Sequence, residues 1–417
     1  MKNKFQNVFL FFLVLLVSSC GSTSTQTADI GQNLDQIDLN SGAEFVFFFA
    51  TEFGSSSGQL LLADSNNIGL FVNSGVEQLG AEANIKLFDG LLYVLHGGGD
   101  PQSPSSNNIR VLDPQNNFGT QSEFSTGDGT NPQDFVVIDN LAYISLYNPE
   151  KDAGDKDANG NPGDVIVMNL DNGQVVKRLS FFNFLFNDGF KRALAHKMVL
   201  VGNLLYVCIQ DYGTNNAANI LLQNAPGKIG VIDTTTNSIV GVISLQGRNP
   251  VDIVYSENEN KLFVALQAPF SGFGNDYPHV PYGGVEIIPL NDTNHTILIH
   301  DNDLGGYVER LDFGFEKVFI VASNFDANTF EFTSAILTMA EEGEAAGDAV
   351  SLIPESSDLR DIGVDSRRRL WIGRRTIQSG DQASNPRVDV YDIDTGNLVG
   401  SNTNIEVPVT SIAIGQL

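Results

Sequence analysis

Basic residues are scarce in this sequence. Its 417 residues include 23 Lys and Arg against 50 Asp and Glu, which gives a formal net charge of −27 at pH 7. A chain this acidic repels a phosphate backbone everywhere except at a local basic patch. The charge balance therefore excludes nucleic-acid binding as the main role, and we expect no nucleic-acid partner.

Cysteine is scarcer still. The two cysteines, Cys20 and Cys208, cannot form a disulfide framework, and their separation matches no spacing of metal ligands. Charged residues are 18% of the chain against a usual ~25%, whereas 41 residues are glycine and 42% are hydrophobic. This composition favours a turn-rich β protein with an ample core over a helical bundle or a disordered chain.

The N-terminus predicts export. Lys2 and Lys4 precede an apolar run at 8–17, which is the build of a secretory signal and too short to span a bilayer. The run ends in Val-Ser-Ser-Cys at 17–20, which resembles the bacterial lipobox. That resemblance implies a lipidated Cys20, whose acyl chains bind the lipid bilayer. The alternative is an ordinary secreted protein that is cleaved nearby.

We expect three regions on this basis: a signal peptide over 1–19, a lipidated cysteine with a polar tether over 20–42, and a folded domain over 43–417. Gly21 stands where an inner-membrane retention signal would place Asp. The expected location is therefore the cell envelope, anchored to the outer membrane and facing either the periplasm or the medium.

The rest of the chain repeats itself. Short apolar segments that carry one aromatic residue recur about every 53 residues, at Phe47, Tyr93, Tyr143, Tyr206, Phe263, Phe319 and Trp371. Within a copy the order suits four short strands, as in DFVVID, LAYISL, DVIVMNL and VVKRLSF of the third copy. The sequence therefore predicts an all-β, seven-bladed β-propeller with four-stranded antiparallel blades.

The two chain ends predict how the ring closes. The first copy starts at its second strand, near Glu44, and the chain finishes with a lone apolar strand over 409–414. We expect this C-terminal strand to join the first blade, because it would otherwise leave an exposed sheet edge.

The blade junctions carry a family resemblance. Residues 229–266 resemble the YVTN-type β-propeller repeat, in which a strand ending in Asp and a short strand lead to Gly-x-Asn-Pro. Asn-Pro-x-Asp occurs at 131–134 and again at 249–252. The resemblance implies a propeller, and members of this family are mostly binding or scaffold proteins with scattered enzymes among them.

Charged residues recur where the innermost strands begin. We expect both charge types to surround the top of the central channel, on the face with the long loops, and two interpretations remain open: an ion-pair network between blades, or a funnel for a carboxylate-bearing ligand. The candidate ligand-binding residues are Arg192, Arg248, Arg310, Arg360, Asp134, Asp252, Asp312 and Asp361.

One acidic loop resembles the opening of a calcium loop. Asp155, Asp157 and Asn159 alternate before a glycine, and Asp164 follows, although the closing Glu is missing. The alternatives are a Ca²⁺ site formed by these four residues and a solvated acidic turn.

Two functions remain open at this stage. The first is a monomeric, non-catalytic module that binds a protein, peptide or glycan through its long-loop face. The second is a calcium-dependent hydrolase or lactonase of the gluconolactonase-like type. No catalytic residue can be assigned, because no set of metal-binding Glu, Asn and Asp residues recurs and no histidine is placed for acid–base chemistry.

Replacing Cys20 tests the anchor. Cys20→Ala should yield a soluble or unprocessed protein, because the acyl chains are the hydrophobic attachment that the sequence provides. Incorporation of labelled palmitate in the expressing cells measures this, with Cys208→Ala as the matched control that should keep the label. Equal labelling with and without Cys20 would show that the lipoprotein interpretation is wrong.

Overall fold

The structure of the protein is a computed structural model. The described residues are 34–51, 57–77, 79–80, 82–97, 106–148, 163–185, 190–215, 220–223, 226–267, 282–326, 331–375, 377–378, 382–383, 386–403 and 405–417. The chain divides into two units, Met1–Gly31 and Gln32–Leu417, and all described residues belong to the second. Cys20 lies outside them. No helix in the described ranges is long and apolar enough to cross a membrane.

Seven sheets of four antiparallel strands form the blades of a ring, which confirms the predicted fold. From the innermost strand outward, blade 1 has Val409–Gln416, Glu44–Ala50, Gln59–Asp64 and Phe71–Asn73. Blade 2 has Ala83–Phe88, Leu91–His96, Asn108–Asp113 and Gly119–Ser125. Blade 3 has Pro132–Ile138, Leu141–Leu146, Val165–Asn169 and Val175–Leu179. Blade 4 has Ala195–Val201, Leu204–Ile209, Lys228–Asp233 and Ser238–Ser244.

The remaining blades repeat this order. Blade 5 has Pro250–Ser256, Lys261–Leu266, Gly284–Pro289 and Ile297–His300. Blade 6 has Tyr307–Gly314, Lys317–Asp326, Glu331–Ala340 and Val350–Ser357, and blade 7 has Leu359–Val364, Arg369–Arg374, Arg387–Asp392 and Leu398–Asn402. Two small sheets stand apart, Phe190–Arg192 with Tyr212–Asn215 and Ile220–Gln223, and Ile377–Gln378 with Gln382–Ala383. The helices are short: Leu34–Gln36, Pro114–Asn116, Phe182–Phe184, Asp301–Leu304 and Ala346–Asp348.

Strand composition follows position in the blade. The second strands have apolar and buried centres, as in Phe45–Ala50, whose residues are all fully buried because neighbouring blades cover both faces. The outermost strand of blade 2, Gly119–Ser125, has instead only exposed and half-buried residues. Aromatic rings fill the spaces between blades; Trp371 of blade 7 contacts Phe48 and Phe71 of blade 1.

The C-terminal strand closes the ring as predicted. Val409–Gln416 pairs antiparallel with Glu44–Ala50, so that Phe47 lies opposite Ala413. The innermost strand of each blade then contacts that of the next, from blade 1 round to blade 7 and back. Closure leaves no exposed edge at the junction of the two chain ends.

Side chains also bridge the blades. An innermost strand has a sheet partner on one side only, so the backbone groups at its other edge need partners from elsewhere. Asp252 of blade 5 accepts a hydrogen bond from the backbone N–H of Leu311 in blade 6 at 3.0 Å. In the described residues a polar side chain makes such a bridge at every interface, and from interface 1–2 to interface 7–1 these are Ser411, Asn84, Asp134, His196, Asp252, Asp312 and Asp361.

A local distortion directs these side chains. The strand register shifts between Pro132 and Asp134, and again between Pro250 and Asp252. The preceding Asn131 and Asn249 have φ of 48° and 55°, in the left-handed region that asparagine tolerates better than most residues. The Asn-Pro-x-Asp motif is therefore a left-handed Asn that starts the strand, followed by a bulge that turns Asp toward the next blade.

Removing one neutral bridge tests its contribution. The hydroxyl of Ser411 accepts a hydrogen bond from the backbone N–H of Ile85 at 3.1 Å, at the interface between blades 1 and 2. Ser411→Ala leaves this buried N–H unpaired and should lower the free energy of unfolding by ~1–3 kcal/mol. Denaturant unfolding measures it, with Ser122→Ala on the outermost strand of blade 2 as the control. Equal effects of the two substitutions would contradict the bridging role.

Candidate functional site

Two adjoining cavities open at the top of the channel, where the innermost strands begin and the second strands end. The larger has a volume of about 340 Å³ and the smaller about 230 Å³. They share Thr51, Glu82, Arg310 and Thr410, so Arg310 is a basic residue that faces both. Because one wall is common, a single ligand can occupy both cavities. A combined site of this size falls in the ~300–1,000 Å³ range of ligand pockets.

Arginine dominates the larger cavity. Arg310, Arg360 and Arg375 line it together with Glu82 and Glu309. An Nη2 atom of Arg360 lies 2.7 Å from Oδ2 of the buried Asp358, and Nε of Arg310 lies 3.7 Å from Oδ1 of Asp361. These carboxylates hold the guanidinium groups in place, while about a third of each side chain stays exposed, 32% for Arg360 and 30% for Arg310. The exposed N–H groups can donate hydrogen bonds to a carboxylate or phosphate.

The ionisable groups next to these arginines have shifted pKa values. Burial raises the pKa of Asp358 to about 6, although the nearby Arg360 and Arg375 oppose the shift. Burial and the neighbouring Glu309 also raise the pKa of Tyr307. Burial opposes charge on Arg310 as well, but the Asp361 carboxylate and other nearby acids raise its pKa. The guanidinium groups are therefore the permanently charged groups here, and the carboxyl groups respond to their surroundings.

The smaller cavity has mixed polarity. His196 and Lys197 of blade 4 line it opposite Asp361 of blade 7, with Asn84 and Gln133 between them. Nδ1 of His196 lies 2.7 Å from the carbonyl oxygen of Val251. A carbonyl can only accept, so Nδ1 carries the proton and Nε2 carries a lone pair. Burial, Arg310 and Lys197 lower the pKa of His196 to about 4, which keeps the ring neutral at pH 7.

A second layer of charge lies below the cavities. Asp134 accepts hydrogen bonds from the backbone of Met198 at 2.9 Å and from Nζ of Lys86 at 2.7 Å. Burial works against ionisation of Asp134, but Lys86 and Lys197 outweigh it and lower its pKa. Asp312 accepts from the backbone N–H groups of Phe313 and Val364, both at 2.8 Å. Burial raises the pKa of the Asp312 carboxyl to about 7, and the neighbouring carboxylates of Asp361 and Asp252 act in the same direction.

The predicted ligand residues separate into groups. Arg310, Arg360 and Asp361 line the cavities. Asp134, Asp252 and Asp312 bridge innermost strands below them. Arg248 stacks on the ring of Tyr282, with its guanidinium carbon 3.8 Å from the ring centre, and is not among the described cavity residues. Arg192 ends a strand of the small three-stranded sheet and precedes blade 4, which begins at Ala195, and its side chain lies outside the described part.

The predicted calcium loop is mostly outside the described residues, because Asp155, Asp157 and Asn159 fall in 149–162. Asp164 is described and buried, and its Oδ2 accepts a hydrogen bond from the backbone N–H of Phe181 at 2.6 Å. In the described ranges no cluster of three or more His, Cys, Asp or Glu is placed to hold a metal ion.

Other site residues were not predicted from the sequence: Lys86, His196, Lys197, Arg375, Glu82 and Glu309. Aligning the blades by their bulges would have found Lys197, because the register shift between Ala195 and Met198 puts it where blade 3 has Asp134. The same alignment puts Arg310 at that position in blade 6. Arg375 follows the apolar second strand of blade 7, where a basic residue after buried ones is a visible signal.

Comparisons with known proteins concern the fold. No protein-family model and no curated protein sequence matches this chain. A provisionally assigned 6-phosphogluconolactonase from Bacteroides fragilis is 11% identical with a TM-score of 0.55, over 91% of this chain and 99% of that one. Hydrazine synthase from Kuenenia stuttgartiensis is 15% identical with a TM-score of 0.49, over 79% and 88%. The first likeness supports the propeller fold and nothing finer.

The raised pKa of Asp312 predicts a stability that falls toward alkaline pH. The folded protein keeps the Asp312 proton up to about pH 7, whereas the unfolded chain releases it near 3.8, the ordinary pKa of an aspartic acid. The contribution is complete below that lower pKa and is lost as pH rises through the higher one. Asp312→Asn, which does not titrate, should flatten the loss of unfolding free energy between about pH 4 and pH 7, measured by denaturant unfolding at fixed ionic strength.

The exposed Asp394 provides a control of opposite sign. Hydrogen bonds from Arg368 and Lys317 lower its pKa, so its contribution is lost as pH falls. Asp394→Asn should therefore leave the slope near neutrality as in the wild type. An unchanged slope in Asp312→Asn would show that Asp312 does not titrate there.

Proposed function

We propose that this protein is an exported lipoprotein of the YVTN repeat type whose propeller is a non-catalytic binding module. Its top face binds a protein, peptide or glycan, and the larger cavity receives an anionic group of that partner. The observation that carries this proposal is the convergence of Arg310, Arg360 and Arg375 on one cavity in a chain with a net charge of −27. The lipidated Cys20 anchors the module in the envelope.

The cavity and the protein as a whole differ in the sign of their charge. Most of the surface of so acidic a protein repels anions, so a basic cavity selects where an anion binds. Arginine presents five N–H donors in a planar fork, and Asp358 or Asp361 engages only part of that fork on Arg360 and Arg310. Holding each guanidinium against a carboxylate lowers the entropy lost when a ligand binds.

A second candidate is a calcium-dependent hydrolase or lactonase of the gluconolactonase-like type, and a Ca²⁺ site at Asp155, Asp157, Asn159 and Asp164 is a separate proposal. What favours it is the fold likeness to a protein provisionally assigned as a 6-phosphogluconolactonase, a name that implies a phosphorylated sugar lactone as substrate. An arginine-lined cavity suits such an anion as well. Identity of 11% carries the fold and not the activity, so we place binding first.

Simple anions test the proposed cavity. Citrate and hexaglutamate should bind the wild-type propeller with an affinity that falls as salt rises, measured by calorimetry. Arg360→Gln and, separately, Arg375→Gln should each weaken binding about 10-fold or more, because each removes charge-assisted hydrogen bonds. Arg368→Gln is the matched control, since Arg368 lies in the turn after the innermost strand of blade 7, at the opposite end of the channel.

Three outcomes contradict the proposed function. The first is that neither anion binds. The second is that Arg368→Gln weakens binding as much as the cavity variants do. The third is that glucono-δ-lactone or its 6-phosphate is hydrolysed faster with the protein and Ca²⁺ than with Ca²⁺ alone, which would favour the enzyme.

A further inference from the structure

We propose that the ligand of the two cavities is a uronic-acid residue of an acidic glycan, with its carboxylate in the larger cavity and its ring hydroxyl groups in the smaller. This inference rests on the proposed binding function and narrows the ligand to one chemical class. It uses residues of the smaller cavity that an anion alone does not need.

The cavities offer one continuous site. Arg310 faces both, and Thr410 and Glu82 also belong to both walls. A ligand that reached only the arginines would leave the smaller cavity, about 230 Å³, filled with water. A ring bearing a carboxylate on one side and hydroxyl groups on the other spans both through its own covalent frame.

The polar groups of the smaller cavity suit hydroxyl groups. Each hydroxyl donates one hydrogen bond and accepts others, so a site for several hydroxyls needs acceptors beside donors. Lys197 supplies a donor. Nε2 of His196 supplies a neutral acceptor, because Nδ1 donates to the carbonyl of Val251 at 2.7 Å. The second acceptor is Oδ1 of Asp361, whose Oδ2 already accepts from the backbone N–H of Ile412 at 2.8 Å.

A plain anion fits this cavity poorly. A phosphate or carboxylate oxygen only accepts at neutral pH, so His196 and Asp361 would face it with lone pairs and negative charge. Those two residues come from blades 4 and 7, on opposite sides of the channel, with Lys197 and Arg310 also on the wall. Donors and acceptors therefore surround the space, which is the arrangement that a polyhydroxylated ring can satisfy.

The larger cavity selects for the carboxylate of the ligand. Its lining has three arginines and, among its described residues, no aromatic ring. The carboxylate of a uronic acid is planar and accepts two parallel N–H bonds from one guanidinium fork. A neutral sugar would form no ion pair with those guanidinium groups.

Calorimetry with defined probes tests the inference. D-Galacturonate and trigalacturonate should bind the wild-type protein, whereas D-galactose, which has the hydroxyl groups without the carboxylate, should bind at least about 10-fold more weakly. Arg360→Gln should reduce galacturonate binding to the level of galactose. Citrate serves as the anion without a sugar ring.

His196→Asn separates the two cavities. The side-chain amide of Asn can still donate to the carbonyl of Val251, so the bridge between blades 4 and 5 is kept, but the Nε2 acceptor is lost. It should weaken galacturonate binding about 10-fold and leave citrate binding within about two-fold. Lys197→Met, which keeps the apolar stem, should likewise weaken galacturonate binding about 10-fold and serves where His196→Asn unfolds.

Each result has a distinct meaning. If citrate binding depends on Arg360 but neither His196→Asn nor Lys197→Met changes galacturonate binding, the anion site stands and the uronic-acid assignment is wrong. If no anion binds, the proposed function fails together with this inference. If hexaglutamate binds more tightly than trigalacturonate and depends on His196, the ligand is an acidic peptide and the glycan assignment is overturned.

Discussion

The rest of this structure depends on how the backbone groups at the inner edge of each blade find hydrogen-bond partners. An innermost strand pairs with a neighbour in its own sheet on one side, and its other edge faces the next blade, where sheet hydrogen bonds do not continue. Unpaired backbone groups in a closed ring would be costly, so a side chain from the preceding blade has to reach them. Ser411, Asn84 and His196 do this as neutral groups, and Asp134, Asp252, Asp312 and Asp361 do it as acids.

Four acids around one narrow channel then require compensation. Lys86 and Lys197 approach Asp134 at 2.7 and 3.9 Å, and Arg310 approaches Asp361 at 3.7 Å. Desolvation of these groups works against the ionised form, and the outcome at each carboxyl depends on how close a cation lies. The pKa of Asp134 is lowered beside two lysines, whereas that of Asp312 is raised to about 7. The basic residues at the channel mouth therefore have a structural role first, because they offset the charge of the bridging carboxylates.

The sequence predicts the ring far better than it predicts the site. Seven aromatic-bearing segments at even spacing are a local and repeated signal, and the C-terminal strand follows from counting strands in the first copy. The cavity residues come from all seven blades, so no linear spacing relates them. One-residue register shifts also decide which side chain faces the channel, and they make Lys197 and Arg310 the counterparts of Asp134. The place of Arg248 before an innermost strand does not predict its role, because its stacking on Tyr282 depends on a partner 34 residues away in the sequence.

Stability and anion binding can be separated at this mouth because Arg360 and Arg375 are not among the bridging side chains, whereas His196 and Asp361 serve both the ring and the smaller cavity. Arg310 pairs with Asp361, which itself bridges blades 7 and 1, so a change at Arg310 would disturb ring closure as well as any ligand. Arg360 and Arg375 stand one step outside that ring, where their carboxylate neighbour Asp358 precedes the innermost strand of blade 7. Substitutions at these two positions therefore alter the charge offered to a ligand and leave the seven bridging side chains named above in place. A scaffold held by its inner layer leaves the rim above it free to change specificity, which is how one propeller architecture can serve many ligands.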